Sequence, residues 1–114
     1  MIERYEFGLM LIDGKEYKSD IIIKPGEIVS KEWFREEGHE LRVIDVKDYL
    51  DEEDKFVVVG TGDGGEMQVP EATKEFFKNN NLEVFIGETP KAVEEYNKLE
   101  KEGRDVVGFF HLTC

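Results

Sequence analysis

Apolar positions fall into two regimes along this chain, short alternating runs before residue 30 and, from residue 56 onward, longer strand and helix patterns in succession. Tyr5-Glu-Phe-Gly-Leu-Met-Leu-Ile12 and Glu16-Tyr-Lys-Ser-Asp-Ile-Ile-Ile23 flank Asp13-Gly14. An Asp-Gly pair between apolar strands favours a tight turn whose two central residues take positive φ, which predicts an antiparallel hairpin. Pro25-Gly26 ends the second strand, because proline cannot donate to a ladder. Phe56-Val-Val-Val59 is an uninterrupted apolar run, as expected for a strand covered on both faces in the middle of a sheet. Pro70 then opens a helix with Ala72, Phe76 and Phe77 facing inward and Asn79-Asn-Asn81 at its end. Leu82-Glu-Val-Phe-Ile86 reads as a strand. Thr89 caps a further helix, with Pro90 at its first position, Ala92, Val93, Tyr96 and Leu99 at helical spacing, and Gly103 at the C-cap. Asp105-Val-Val-Gly-Phe-Phe-His-Leu112 is the last strand.

Strands alternating with helices require crossover connections, so the fold class is α/β: a single domain spanning residues 1–114 with a mixed sheet, helices packed on it and an N-terminal β-hairpin. Residues 30–44 stay unassigned. Ser30 suits the start of one helical turn ended by Gly38, and Trp33-Phe34 beside Arg35 suits an irregular extended segment equally well. Asp45 is placed as the N-cap of a short helix through Val46, Tyr49 and Leu50, whose acidic exit Asp51-Glu-Glu-Asp54 is solvated.

Charge narrows the partners. The 114 residues carry 27 acidic and 15 basic side chains, a net charge of -12. Nucleic-acid binding draws its affinity from Lys and Arg on phosphates, so neither nucleic acid nor an anionic membrane is an expected partner. No apolar run approaches the roughly 18 residues of a membrane helix, and Met1-Ile-Glu-Arg-Tyr-Glu-Phe7 has neither signal nor transit character, so the expected location is cytoplasmic. Charged residues make up 37% of the chain, a balance that suits a hot environment, where ion-pair networks become less costly.

The candidate chemistry is sparse. Gly60-Thr-Gly-Asp-Gly-Gly65 has the spacing of a dinucleotide fingerprint, but Glu66-Met-Gln-Val69 intervenes before the helix and Asp63 and Glu66 repel phosphates. Two readings stay open there: a plain tight turn, or a small-ligand site formed by Gly60, Thr61, Gly62 and Asp63 with the only two histidines, His39 and His111. His111 and Cys114, three residues apart, point to opposite faces if the strand continues, so no metal site and no cofactor are expected. No catalytic residue is assigned. Cys114, the only cysteine, reads as a small buried hydrophobe with an unreactive thiol. Trp33, Phe34, Arg35 and Arg42 form the candidate partner-binding segment, since Trp and Arg are the commonest interface anchors; the alternative is that the arginines pair with Glu36, Glu37 and Glu40.

The order Phe7-Gly8, Ile12-Asp-Gly-Lys-Glu-Tyr17, Asp20-Ile21, Trp33-x-Arg35, Gly38-His39, Asp45, Gly60-Thr-Gly62, Pro70, Thr89-x-x-Ala92, Tyr96-Asn97-x-Leu99, Gly103-Arg104 and His111-Leu-Thr-Cys114 resembles the small "Mth-domain" family of uncharacterised prokaryotic proteins. Its eukaryotic relatives include a mitochondrial respiratory complex I assembly factor and an adipogenesis-associated protein. The resemblance implies a three-layer domain with a mixed sheet of about five strands, and it brings no catalytic residues. The expected function is a non-enzymatic interaction or complex-assembly domain with another protein as partner, a second copy of the chain being left open. The alternative is a small-ligand-binding protein or enzyme using the Gly60–Gly65 turn.

Overall fold

The protein's structure, a computed structural model, describes all 114 residues. Eight strands and three helices run in the order β1 (Ile2–Glu6), β2 (Leu9–Ile12), β3 (Lys15–Tyr17), β4 (Ile21–Lys24), β5 (Glu27–Ser30), α1 (Val43–Val46), β6 (Phe56–Thr61), α2 (Glu71–Asn79), β7 (Glu83–Gly87), α3 (Thr89–Lys101) and β8 (Val106–His111). A 3-10 turn at Lys47–Tyr49 extends α1. β1-β2-β3 form an antiparallel sheet, and a second sheet has the order β5-β4-β8-β6-β7. In that larger sheet β6 is parallel to β7 and β8, whereas β4 is antiparallel to β8 and β5. The connections through α2 and α3 are what make the parallel pairs possible.

Strand alternation divides the side chains between two cores. Ile21 and Ile23 of β4, Val58 of β6 and Val106 and Phe110 of β8 face α3 and the small sheet, meeting Ala92, Tyr96, Leu99, Ile2, Met10 and Ile12. Ile22, Val57, Val59, Val107 and Phe109 point to the other face, against Val46, Phe77, Leu41, Trp33 and Met67. The sheet is therefore the middle of three layers, and β6 and β8, apolar on both faces, are its central strands. Gly108 of β8 is required by close packing: a Cβ there would collide with the ring of Phe110, and Tyr96 lies 3.1 Å away.

The structure refines several expectations. Asp13 and Gly14 take φ of 49° and 82°, as their turn demands, but the hairpin is one part of a three-stranded sheet. A second turn at Phe7-Gly8, with Gly8 at φ 76°, splits the first expected strand into β1 and β2. The second expected strand divides between sheets at Lys18–Asp20. α1 starts before Asp45, whose Oδ2 accepts the Arg42 amide at 2.8 Å from within the first turn. In α2 it is Thr73, not Ala72, that faces inward: Ala72 is exposed, and the buried Thr73 hydroxyl donates to the Leu41 carbonyl at 2.7 Å. Glu88 is the N-cap of α3 and Thr89 its first residue, buried for a reason given below. No helix is long and apolar enough to cross a membrane.

Candidate functional site

Residues 31–42 hold no helix or strand, and their order comes from two side chains directed inward. Trp33 is 3% exposed; its amide donates to the Asp20 carbonyl at 2.9 Å and its Nε1 to the Asp45 carbonyl at 3.1 Å. Its ring packs 5.4 Å from that of Phe109, and the Arg35 guanidinium stacks 4.6 Å over it. The Arg35 side chain is 4% exposed, and its Nη2 donates to Asp20 Oδ2 at 2.9 Å and to the Gly38 carbonyl at 2.8 Å. Those two bonds use both Nη2 protons. The 2.7 Å contact between His111 Nδ1 and Asp20 Oδ2 is then a donation from the ring, and the 3.2 Å approach of Arg35 Nη2 to the same ring nitrogen is a contact without a proton.

Asp20, just before β4, is the hub. It also accepts the Leu112 amide on Oδ1 at 2.8 Å. Burial pushes its carboxyl pKa up, but hydrogen bonds from His111 and the Leu112 amide, with the charge of Arg35, outweigh burial and hold it below the usual range. Three buried nitrogens of the network, Arg35 Nε and Nη1 and His111 Nε2, have no hydrogen-bond partner in the protein. Tyr5 lies close by, donating to the Leu112 carbonyl at 2.7 Å, and burial together with the charges of Asp63 and Asp20 pushes its phenol up to about 12.

The glycine-rich turn is closed rather than open. Thr89 Oγ1 accepts the Gly62 amide at 2.9 Å and donates to the His111 carbonyl at 2.6 Å, so one hydroxyl ties the turn, α3 and β8 together. The Asp63 and Glu66 amides donate to the carbonyls of Thr113 and Cys114 at 2.6 and 3.0 Å. Gly62, at φ 110°, lies against the Cys114 carbonyl, where a Cβ would collide. Gly62 thus lets the backbone of residues 113–114 fit against the turn.

The candidate residues are brought together only in part. Thr61 and His111 are buried, Asp63 and His39 exposed, and the His39 and His111 rings meet edge to face at 5.8 Å. Trp33 and Arg35 are corrected from exposed anchors to interior ones, because the Trp33 ring completes the core beside Phe109 and Arg35 needs Asp20. Phe34 between them is 80% exposed. Arg42 is exposed and pairs with Glu40 and Glu36 at 2.6 and 3.2 Å. Cys114 is exposed rather than buried, since β8 ends at His111 and strand alternation does not continue to residue 114. A hydrogen bond with the Glu66 carboxylate, together with that carboxylate's charge, raises its thiol pKa, which keeps it protonated near neutrality. Asp20, Tyr5, Glu66 and Thr89 were not singled out for the site from sequence. Asp20 and Thr89 are polar residues next to strongly apolar strands or at a helix start, and such positions are the available signal. Four surface clefts lie elsewhere, none lined by a candidate residue; the two largest, of 430 and 320 Å³, are lined mainly by polar and charged residues.

The fold recurs in solved structures. The conserved hypothetical protein PH1505 from Pyrococcus horikoshii OT3 is 27% identical, with a TM-score of 0.77 over 100% of this chain and 99% of that one. MT938 is 23% identical, with a TM-score of 0.81 over 100% of this chain and 98% of that one. XCC1710 from Xanthomonas campestris, 18% identical with a TM-score of 0.79 over 98% of this chain and 83% of that one, shares the fold. A family model matches residues 2–111, nearly the whole domain including the Asp20–Arg35–His111 network, and the chain belongs to that family, described as protein of unknown function (DUF498/DUF598).

Proposed function

We propose that this protein is a non-enzymatic interaction domain that assists assembly of a larger protein complex, and that residues 33–44 carry its binding surface. The supporting observation is Phe34, 80% exposed between Trp33 and the Arg35 side chain, which are 3% and 4% exposed. Three consecutive residues thus place two large anchors inside and one aromatic ring in solvent. An exposed ring on a fixed backbone binds with little entropy loss, which suits an interface hot spot. The Trp33 bond to Asp45 holds this segment beside α1, where Ile44 is 54% exposed and Arg42 adds a charge. The resemblance to a family with complex I assembly factors among its eukaryotic relatives agrees with this reading. The alternative, a ligand site in the Gly60–Gly65 turn, is weakened by the seating of residues 113–114 against that turn.

The test is affinity capture from extract of the source organism with quantitative comparison of variants. Phe34→Ser and Ile44→Ser should each reduce the captured partner by about thirtyfold, a 2 kcal/mol anchor loss, while Lys91→Ala on exposed α3 surface leaves it unchanged. Equal capture by the wild type and both variants contradicts the proposal.

A further inference from the structure

Three segments converge beside the buried network, and each brings one metal-ligand atom. His39 comes from residues 31–42, Glu66 from the exit of the glycine-rich turn and Cys114 from beyond β8, with their ligand atoms all within 4.8 Å of one another. Their backbones are laced together. The Glu66 amide donates to the Cys114 carbonyl at 3.0 Å, and the Gln68 amide donates to the His39 carbonyl at 2.8 Å. An isolated parallel bridge joins Glu40 to Gln68 beside them. The three side chains thus start from fixed positions, the condition for a preorganised site.

An independent observation comes from His111. Its Nδ1 donates to Asp20 at 2.7 Å, the arrangement in which a carboxylate fixes the tautomer of a ligand histidine. Its Nε2, on the ring edge away from Asp20, is buried without a partner. The adjacent Cδ2 rests against Gly62, the residue that also lies against the Cys114 carbonyl. The ring meets His39 at 5.8 Å. Two imidazoles bound about 2.0 Å from one tetrahedral ion hold their ring centres roughly 5 Å apart; the rings now meet edge to face, so binding has to turn them as well as draw them together until each presents a nitrogen to the ion.

We infer that His39, Glu66 and Cys114, with His111 Nε2 as fourth donor, bind a borderline-soft divalent transition-metal ion of the zinc class. One sulfur, two imidazole nitrogens and one carboxylate oxygen favour such an ion over magnesium or calcium, which take oxygen ligands. The Cys114 thiolate and the Glu66 carboxylate neutralise the ion's two charges, and the thiol proton passes to buffer on binding. His39 lies in the same segment as Phe34, but the metal site uses neither Phe34 nor Ile44, so the two proposals are tested by different variants.

The probe is cobalt(II), titrated into the purified full chain under a non-thiol reductant, with circular dichroism confirming the fold of every variant. Expected is a thiolate-to-cobalt charge-transfer band in the near ultraviolet, with tetrahedral bands in the visible, saturating at one ion per chain and abolished by zinc. Cys114→Ser removes the near-ultraviolet band, and His39→Ala and His111→Gln each weaken cobalt binding by about tenfold or more. Phe34→Ser leaves the titration unchanged. No near-ultraviolet band at stoichiometric cobalt, or a band of undiminished affinity in His39→Ala, overturns the site; His39 is exposed, so that variant keeps the test clear of folding defects.

Discussion

Arg35 and Trp33 show how single residues order a segment without secondary structure. A guanidinium buried to 4% exposure stays because Asp20 neutralises it and the Trp33 face covers it; without those partners its desolvation would be prohibitive. Trp33→Ala should cost about 3–5 kcal/mol by denaturant unfolding, because a core ring is lost and Arg35 loses its cover. Phe34→Ser, on an 80% exposed side chain, should stay within about 0.5 kcal/mol of wild type. Lys24 offers a titratable counterpart on the far end of β4, with Nζ at 2.9 Å from Asp51 and 3.2 Å from Asp54, whose side chain is 6% exposed. Burial works against the Lys24 charge, but hydrogen bonds to both carboxylates outweigh it and raise its pKa. The hydrogen bond from Lys24, with the Glu53 amide, lowers that of Asp51. A raised lysine contributes fully below its ordinary 10.5 and loses that contribution as pH rises through the folded value. A depressed aspartate contributes above 3.8 and loses that contribution as pH falls. Lys24→Met should therefore flatten both ends of the stability profile and cost about 1–2 kcal/mol near neutrality, chiefly by stranding Asp54, as urea unfolding at stepped pH would show.

Among the elements, Thr89 joins three at once, since its hydroxyl serves Gly62 and His111 from the first residue of α3. Thr89→Val keeps the shape and deletes both bonds; it should cost about 1–3 kcal/mol in thermal unfolding, and isosteric substitution with no loss would refute the tie. This element also marks the limit of what the sequence discloses. The valine run of β6, the spacing Ala92, Tyr96, Leu99 in α3 and the Asp13-Gly14 turn are local signals of period and φ, and they place those elements correctly. Residues 31–42 have no such signal, because their structure depends on Arg35 reaching Asp20 and on Trp33 reaching Asp45, contacts between residues remote in the chain. Ala72 was expected inward on hydrophobicity alone, and the Leu41 carbonyl, invisible in the sequence, selects Thr73 instead. For the site, His39 and His111 were legible as residue types, whereas their approach to 5.8 Å depends on the fold.

The whole molecule carries a net charge of -12, enough for self-repulsion to oppose the compact state. Moderate salt screens that repulsion, and most of the individual ion pairs are exposed and contribute little, so the melting temperature should rise by several degrees between low and physiological ionic strength. A falling melting temperature would mean that the surface pairs dominate. The three-layer core presents residues 31–44 at one surface through fixed anchors, and the proposed interface depends on that rigidity. Native-state hydrogen exchange measures it directly and without a partner. The amides of Trp33, bonded to the Asp20 carbonyl at 2.9 Å, and Leu41, bonded to that of Gln68 at 2.8 Å, should exchange as slowly as those of β6 and β8 and become fast in Trp33→Ala. Exchange of both amides at the rate of an unstructured peptide in the wild type would contradict the account of a preformed binding surface.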